Sequence, residues 1–267
     1  MNNRDQITGF AKRSLGQNFL VDQDFIDKII KAVDPQPGET IIEIGPGRGA
    51  LTQRLVNSGA KVIAIELDRE LVPQLREQFK DSPNFRVIED NATKVDFARI
   101  GLGGSEVRIE FKVAANLPYY ISTPILQHLA SQRSCFSSLI LMFQREVVGR
   151  ITAEPGTTER GFLTVLVESA FSVRKLFDVP PNAFRPIPKV VSSVVELTPK
   201  PPLATDNSEF RDLISQGFMQ KRKTILNNLK GKYSNILDVL KKSEIDPQRR
   251  AESLTLDEWI RLFGFIA

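Results

Sequence analysis

Asn116-Leu117-Pro118-Tyr119 follows directly on the apolar run Val113–Ala115. A side-chain amide oxygen and a backbone carbonyl at the end of one strand can each accept a hydrogen bond from a single amine. That matters for an amino group conjugated to a base, whose lone pair is delocalised into the ring. Two acceptors that pyramidalise the nitrogen free its lone pair for in-line attack on an electrophilic methyl. Asn116 supplies the amide, and the carbonyl of Leu117 or Pro118 supplies the second acceptor, with Pro118 fixing the turn. Tyr119 can stack on the base, worth roughly 1–3 kcal/mol in single-stranded recognition. The attack needs no general base of matched pKa, which suits a chain with one histidine, His128. The bland alternative is an ordinary Asn-Leu-Pro-Tyr turn, and the residues upstream weigh against it.

Ile41-Ile42-Glu43-Ile44-Gly45-Pro46-Gly47-Arg48-Gly49-Ala50 reads as a strand, a glycine loop and a helix start. Gly45 and Gly47 let the backbone approach a ligand closely, and a parallel sheet places this loop at the carboxyl end of its strand, where such folds bind ligands. Glu66 ends the next strand, where a carboxylate can accept hydrogen bonds from both hydroxyls of a ribose. A dinucleotide fits part of this pattern, with Ala50 as its third small residue. Glu43 is awkward beside a pyrophosphate and suits a cofactor carrying an ammonium and a sulfonium, as S-adenosylmethionine does.

A base offered to this site must be unpaired or flipped, at a cost of a few kcal/mol, and a second aromatic would help hold it. Phe184, in the proline-stiffened run Ala183-Phe184-Arg185-Pro186-Ile187-Pro188-Lys189-Val190, is the candidate, with core packing as the alternative. His128 reads as a surface or capping residue, Cys135 as a small packing residue and Trp259 as core of the last helix.

The elements that position these groups alternate. Asp22 can N-cap a helix whose Phe25, Ile26, Ile29, Ile30 and Val33 share a face, ended by Pro35–Gly38. Strand patterns at Thr40–Ile44, Lys61–Glu66, Phe85–Glu89, Val113–Ala115 and Ser138–Phe143 are interleaved with helices over Ala50–Asn57, Arg69–Phe79 and Gln144–Thr152. Val190–Leu197 is expected as a late strand at the sheet edge. This predicts an α/β fold with a mostly parallel sheet covered by helices on both faces. After residue 198 comes a proline-rich linker and then helical periodicity alone, so a domain over 1–199 and a small all-helical domain over 200–267 are expected, with 1–15 as a basic arm.

The chain's formal charge is +4 over 267 residues, yet residues 210–250 carry ten basic against four acidic side chains. A solvated helical face would explain a charge run. Lys221, Arg222 and Lys223, read as part of one helical turn Gln220–Thr224, also make a footprint for phosphates, and Arg249 and Arg250 are further candidates. One cysteine and one histidine leave zinc chemistry almost no ligands. A polar N-terminus without an apolar signal region, and no apolar run near 20 residues, lead to the expectation of a cytoplasmic protein without a membrane segment.

With these residues in order, the sequence resembles the ribosomal RNA adenine dimethyltransferases of the KsgA/Dim type over nearly its full length. The matching segments are Ser14–Leu20, Glu43–Gly47, Ile65–Asp68, Asn116–Tyr119 with Ile121–Pro124, Phe184–Val190 and the Gln220–Thr224 cluster. The resemblance implies a Rossmann-like class I methyltransferase with a seven-stranded sheet. It implies S-adenosylmethionine as methyl donor, held by Asn18, Leu20, Gly45, Glu66 and Asn116, and a target base sandwiched by Tyr119 and Phe184. The implied reaction is dimethylation of N6 on two adjacent adenines in the 3′-terminal hairpin of 16S rRNA. The implied partner is the small (30S) ribosomal subunit or its precursor, met by a monomer with a role in small-subunit biogenesis. Asn91 stands where the family usually has an aspartate that meets the cofactor adenine; its carbonyl can accept the same bond, with Asp90 as substitute. Tyr120 stands where asparagine is common. A large-subunit adenine methyltransferase of the macrolide-resistance type shares the cofactor loop, a DNA amino-methyltransferase would be expected to carry a larger reading domain, and a non-catalytic assembly factor would have no need of paired amine acceptors.

Overall fold

A computed structural model describes residues 16–102, 110–201 and 207–266. The basic arm expected over residues 1–15 lies outside the described residues. In chain order the elements are β1 (Phe19–Leu20), α1 (Gln23–Val33), β2 (Thr40–Ile44), α2 (Ala50–Asn57), β3 (Lys61–Glu66), α3 (Leu71–Gln78), β4 (Phe85–Glu89), α4 (Phe97–Leu102), β5 (Phe111–Asn116), α5 (Ser122–Ser131), β6 (Phe136–Gln144), α6 (Arg145–Ile151), α7 (Phe162–Ala170), β7 (Phe171–Val179), β8 (Phe184–Arg185), β9 (Ser192–Pro199), α8 (Ser208–Gly217), α9 (Ile225–Leu229), α10 (Ile236–Lys242) and α11 (Leu256–Gly264).

The main sheet has seven strands in the order β4-β3-β2-β5-β6-β9-β7. The pairs from β4 to β6 are parallel and β9 runs antiparallel to β6. Chain order reverses between β2 and β5, so the loops after these strands diverge and leave a crevice at their carboxyl ends. The central strands are buried on both faces, which is why they read as apolar runs. On α1, Asp22 accepts from the backbone N–H groups of Asp24 and Phe25, and Ile26, Ile29 and Val33 form the buried stripe.

Two expectations are corrected here. The late strand is not at the edge: β9 lies between β6 and β7, and β7 forms the edge. Its exposed Ser172, Arg174, Lys175 and Asp178 hide the strand pattern; charged residues of this kind protect an edge from further pairing. Arg174 also reaches Glu196 of β9 at 2.6 Å. The Gln220–Thr224 cluster is not a helical turn. It connects α8 to α9, whose N-cap is Thr224, its side chain accepting from the Asn227 N–H.

Contacts divide the chain into two compact units. The sheet unit runs to Val148 and resumes over Val173–Pro199; the helical unit takes Gly149–Ser172 and the chain from Lys200 onward. A boundary at residue 199 thus leaves out α7, whose Val165 is buried in the helical unit's core with Phe210, Leu213 and Trp259. Among the described residues no helix is long and apolar enough to cross a membrane.

Candidate active site

A cavity of about 330 Å³ opens at the carboxyl ends of β2, β3, β4 and β5, within the sheet unit. Its lining comes from the loops after those strands and from a strap, Gly16–Leu20, that crosses them.

The glycine loop meets the cavity because β2 and β3 run side by side, with Glu43 paired to Ala64 and Ile44 to Ile65. Gly47 has φ +58°, and a Cβ there would stand 3.1 Å from the Phe19 ring of the strap, so a larger residue would strain the backbone and push on that ring. Arg48 lies on the same Phe19 ring, its guanidinium carbon 4.6 Å from the centroid. Glu66 accepts from Gly47 N–H at 3.2 Å and from Asp68 N–H at 2.9 Å, one bond to each carboxylate oxygen. The Leu67 N–H also bonds this carboxylate, whose roughly four lone-pair sites leave acceptor capacity for a diol. Burial raises the Glu66 pKa, and the backbone N–H groups of Asp68 and Gly47 oppose that rise.

Glu43 is buried and accepts from the Thr52 hydroxyl at 2.6 Å. Desolvation pushes its carboxyl up to about 7, with Thr52 pulling down and the neighbouring Glu66 adding to the rise. Two carboxylates in a half-closed cavity oppose a pyrophosphate and welcome a cation, and an ammonium–sulfonium cofactor fits these residues. S-adenosylmethionine would be held by Glu66 at its ribose, by the Gly45–Gly47 backbone and by the acidic end around Glu43.

In the loop after β4 the structure changes the reading of Asn91. Its carbonyl oxygen already accepts from the Thr93 N–H at 3.0 Å and the Thr93 hydroxyl at 2.8 Å. Both lone pairs are used, and the NH2 group is what Asn91 has left to offer. Asp90 accepts from Asn91 N–H at 2.6 Å with one oxygen, and its other oxygen has no partner among the described residues.

β5 delivers Asn116 beside the glycine loop. The Asn116 Nδ2 donates to the Asn18 carbonyl at 3.2 Å, which assigns the amide so that Oδ1 is the open acceptor. The Pro118 carbonyl closes the following turn by accepting from Ile121 N–H at 3.2 Å. The Leu117 carbonyl accepts no hydrogen bond among the described residues. Of Tyr119 only the backbone, in a short 3-10 turn with Tyr120 and Ile121, is described. Phe184 does not line the cavity. It is fully buried and pairs through β8 with Leu20 of the strap, its ring in the core with Ala183 and Val194.

The remaining sequence candidates fall apart by environment. Lys221, Arg222 and Lys223 are exposed in the helical unit. Arg250 is more than half exposed, 3.9 Å from Glu252. Arg249 is engaged: it donates to both oxygens of Glu258 and to the Ser253 carbonyl. The residues that the sequence reading missed are in the strap. Gln17 donates to Asp68 at 2.8 Å and Phe19 covers Gly47. His128, read as a surface or capping residue, is instead half-buried and bonds the Val95 carbonyl, while Cys135 and Trp259 are buried as packing residues.

A family model described as ribosomal RNA adenine dimethylase matches residues 10–267. The ribosomal RNA small subunit methyltransferase A of Hahella chejuensis is 42% identical, with 96% of this chain and 93% of that protein covered. A dimethyladenosine transferase from Plasmodium falciparum superposes with a TM-score of 0.75 at 29% identity, over 91% of this chain and 95% of that one. The 23S rRNA methyltransferase ErmE superposes at 0.68 over 93% of this chain and 99% of that one, and at 22% identity shows the shared fold alone. With paired amine acceptors, a cavity between β2 and β5, and a family model spanning residues 10–267, the chain belongs to the ribosomal RNA adenine dimethylase family.

Proposed function

We propose that this protein methylates N6 of two adjacent adenines in the 3′-terminal hairpin of 16S rRNA, giving N6,N6-dimethyladenosines within the small ribosomal subunit or its precursor. The observation that carries the reading is the Asn116 amide, whose Nδ2 is tied to the Asn18 carbonyl, which leaves Oδ1 as the acceptor in a cavity that Leu117 also lines. S-adenosylmethionine supplies an electrophilic methyl on a sulfonium. Asn116 and Leu117 accept the two N–H bonds of the adenine amine and turn its lone pair out of conjugation. Glu66 and Glu43 hold the donor, and Leu117 and Phe19 keep water from the inner wall. Lys221, Arg222, Lys223 and Arg250 contact phosphates, and Tyr119 stacks on the target base. The protein acts as a cytoplasmic monomer.

The test is tritium transfer from labelled S-adenosylmethionine to small and large subunits lacking native adenine methylation, followed by nucleoside digestion. Dimethyladenosine from the small subunit alone is the expected result. Label in the large subunit alone would move the protein to the resistance-type branch. Absence of label from both, with the cofactor bound, would leave an assembly factor.

A further inference from the structure

The strap Gly16–Leu20 contacts the loops after β2, β3 and β5. Gln17 reaches Asp68 after β3 at 2.8 Å, and Phe19 lies between Gly47 and Arg48 after β2. Gly16, at φ +56°, lies under the Tyr120 ring, where a Cβ would stand 3.2 Å from the ring edge. Leu20 pairs with Phe184. Held at these points, the strap offers the Asn18 carbonyl to Asn116 Nδ2. The group that must meet the target amine is therefore oriented by a segment whose own place is set by the cofactor loops.

This has a consequence for the order of transfers that rests on the function proposed above. A primary amine has two N–H bonds and engages both Asn116 Oδ1 and the Leu117 carbonyl. In each transfer the nitrogen lone pair forms the N–C bond, the methyl–sulfur bond breaks with its electrons left on sulfur, and one N–H proton leaves to water. After the first transfer the nitrogen keeps a single N–H bond, so one acceptor alone directs the lone pair and the new methyl must fit where a hydrogen was. Misorientation of Asn116 that two bonds would correct is no longer corrected by one.

We propose that the Gly16–Leu20 strap, through the Asn18 carbonyl, is the positioning element for Asn116, and that the second methylation of each adenine depends on it more than the first. Phe19→Ala removes the anchor on Gly47, and Tyr120→Ala removes the anchor on Gly16, so failure of one variant to fold leaves the other. Both are assayed at saturating cofactor and RNA, with S-adenosylhomocysteine affinity measured by calorimetry. The Asn116 side-chain amide signal is followed by NMR in the cofactor-free protein and assigned with Asn116→Ala. The expected result is a severalfold rise in monomethyl over dimethyl product, an altered Asn116 amide signal, and partial rescue by Phe19→Leu. A weaker affinity for S-adenosylhomocysteine with the wild-type product ratio and an unmoved amide signal would reduce the strap to a cofactor cover and overturn the proposal. Wild-type protein that makes no dimethyladenosine would overturn the function reading and this inference with it.

Discussion

The Thr52 hydroxyl donates to Glu43 at 2.6 Å with both residues buried, and Glu43 lines the cavity beside Glu66. Desolvation holds the Glu43 carboxyl up to about 7 against an ordinary 4.5. The folded protein therefore keeps a proton that the unfolded chain has lost between those values, and this group's contribution to stability falls as pH rises through that window. A bound cation favours the ionised form, so cofactor binding below pH 7 releases a proton. We expect cofactor affinity to rise from pH 6 to about 7 and then level off, with Glu66, also raised, acting in the same direction. Calorimetry in buffers of different ionisation enthalpy reads the released proton. Glu43→Gln should flatten the pH dependence and weaken binding; an unchanged profile in that variant would assign the titration elsewhere.

Asn116→Ala removes the open acceptor Oδ1 and frees the Asn18 carbonyl. Loss of one hydrogen-bond partner that acts on the transition state costs on the order of 10²–10³-fold in kcat. Single-turnover transfer to the small subunit should fall by that amount, while sedimentation of the protein with the subunit persists. Transfer at the wild-type rate would remove Asn116 from the mechanism.

The parallel half of the sheet was legible because its strands are buried on both faces and punctuated by Gly45, Gly59 and the Pro35–Gly38 turn. The paired acceptors were legible because Asn116 and its turn are contiguous. The strap showed no pattern of its own, and only the resemblance pointed to Asn18 and Leu20, since a two-residue strand has no period and its meaning lies in bonds across the chain: Gln17 to Asp68 spans 51 residues and Asn18 to Asn116 spans 98. The edge strand β7 was hidden by its own charges. The Thr224 N-cap was a signal available in the sequence that would have ended the imagined helix at the basic cluster. Phe184 shows the limit of a motif, for a conspicuous aromatic beside prolines is here buried under the pairing of β1 with β8.

Asn91 is one of the two positions, with Tyr120, that the sequence resemblance marks as departures, and it is testable in the restoring direction. An amide there spends its oxygen on Thr93 and has only NH2 left. Asn91→Asp keeps one oxygen for Thr93 and frees the other to accept from the cofactor's adenine amine. One added hydrogen bond, about 0.5–1.5 kcal/mol net, corresponds to roughly 2- to 10-fold tighter binding. Calorimetry with S-adenosylhomocysteine should show this gain, and Asp90→Ala should weaken binding in the native background. If Asn91→Asp weakens binding, the amide NH2 is itself in use, donating to a ring nitrogen.

The basic residues of the helical unit separate into two kinds, and salt distinguishes them. Lys221, Arg222 and Lys223 are exposed, so each that meets a phosphate releases counterions on binding. Substituting any one by alanine should raise KM for the RNA with Tm unchanged. The slope of log affinity against log salt should fall by about 1 for each phosphate no longer neutralised. Arg249 is anchored to Glu258 and the Ser253 carbonyl at the start of α11. Burial raises the Glu258 carboxyl, but the Arg249 bonds and the Thr255 N–H outweigh that and hold it below the ordinary value. Its stabilising contribution is then present above the unfolded carboxylate pKa and is lost as pH falls through the lower, folded one. Hydrogen bonds to charged groups are worth about 1.5–3 kcal/mol each, so Arg249→Ala should lower Tm by several degrees at neutral pH. That deficit should shrink in acid, while the salt slope for RNA stays at the wild-type value. A lowered slope with an unchanged Tm would instead make Arg249 a phosphate contact.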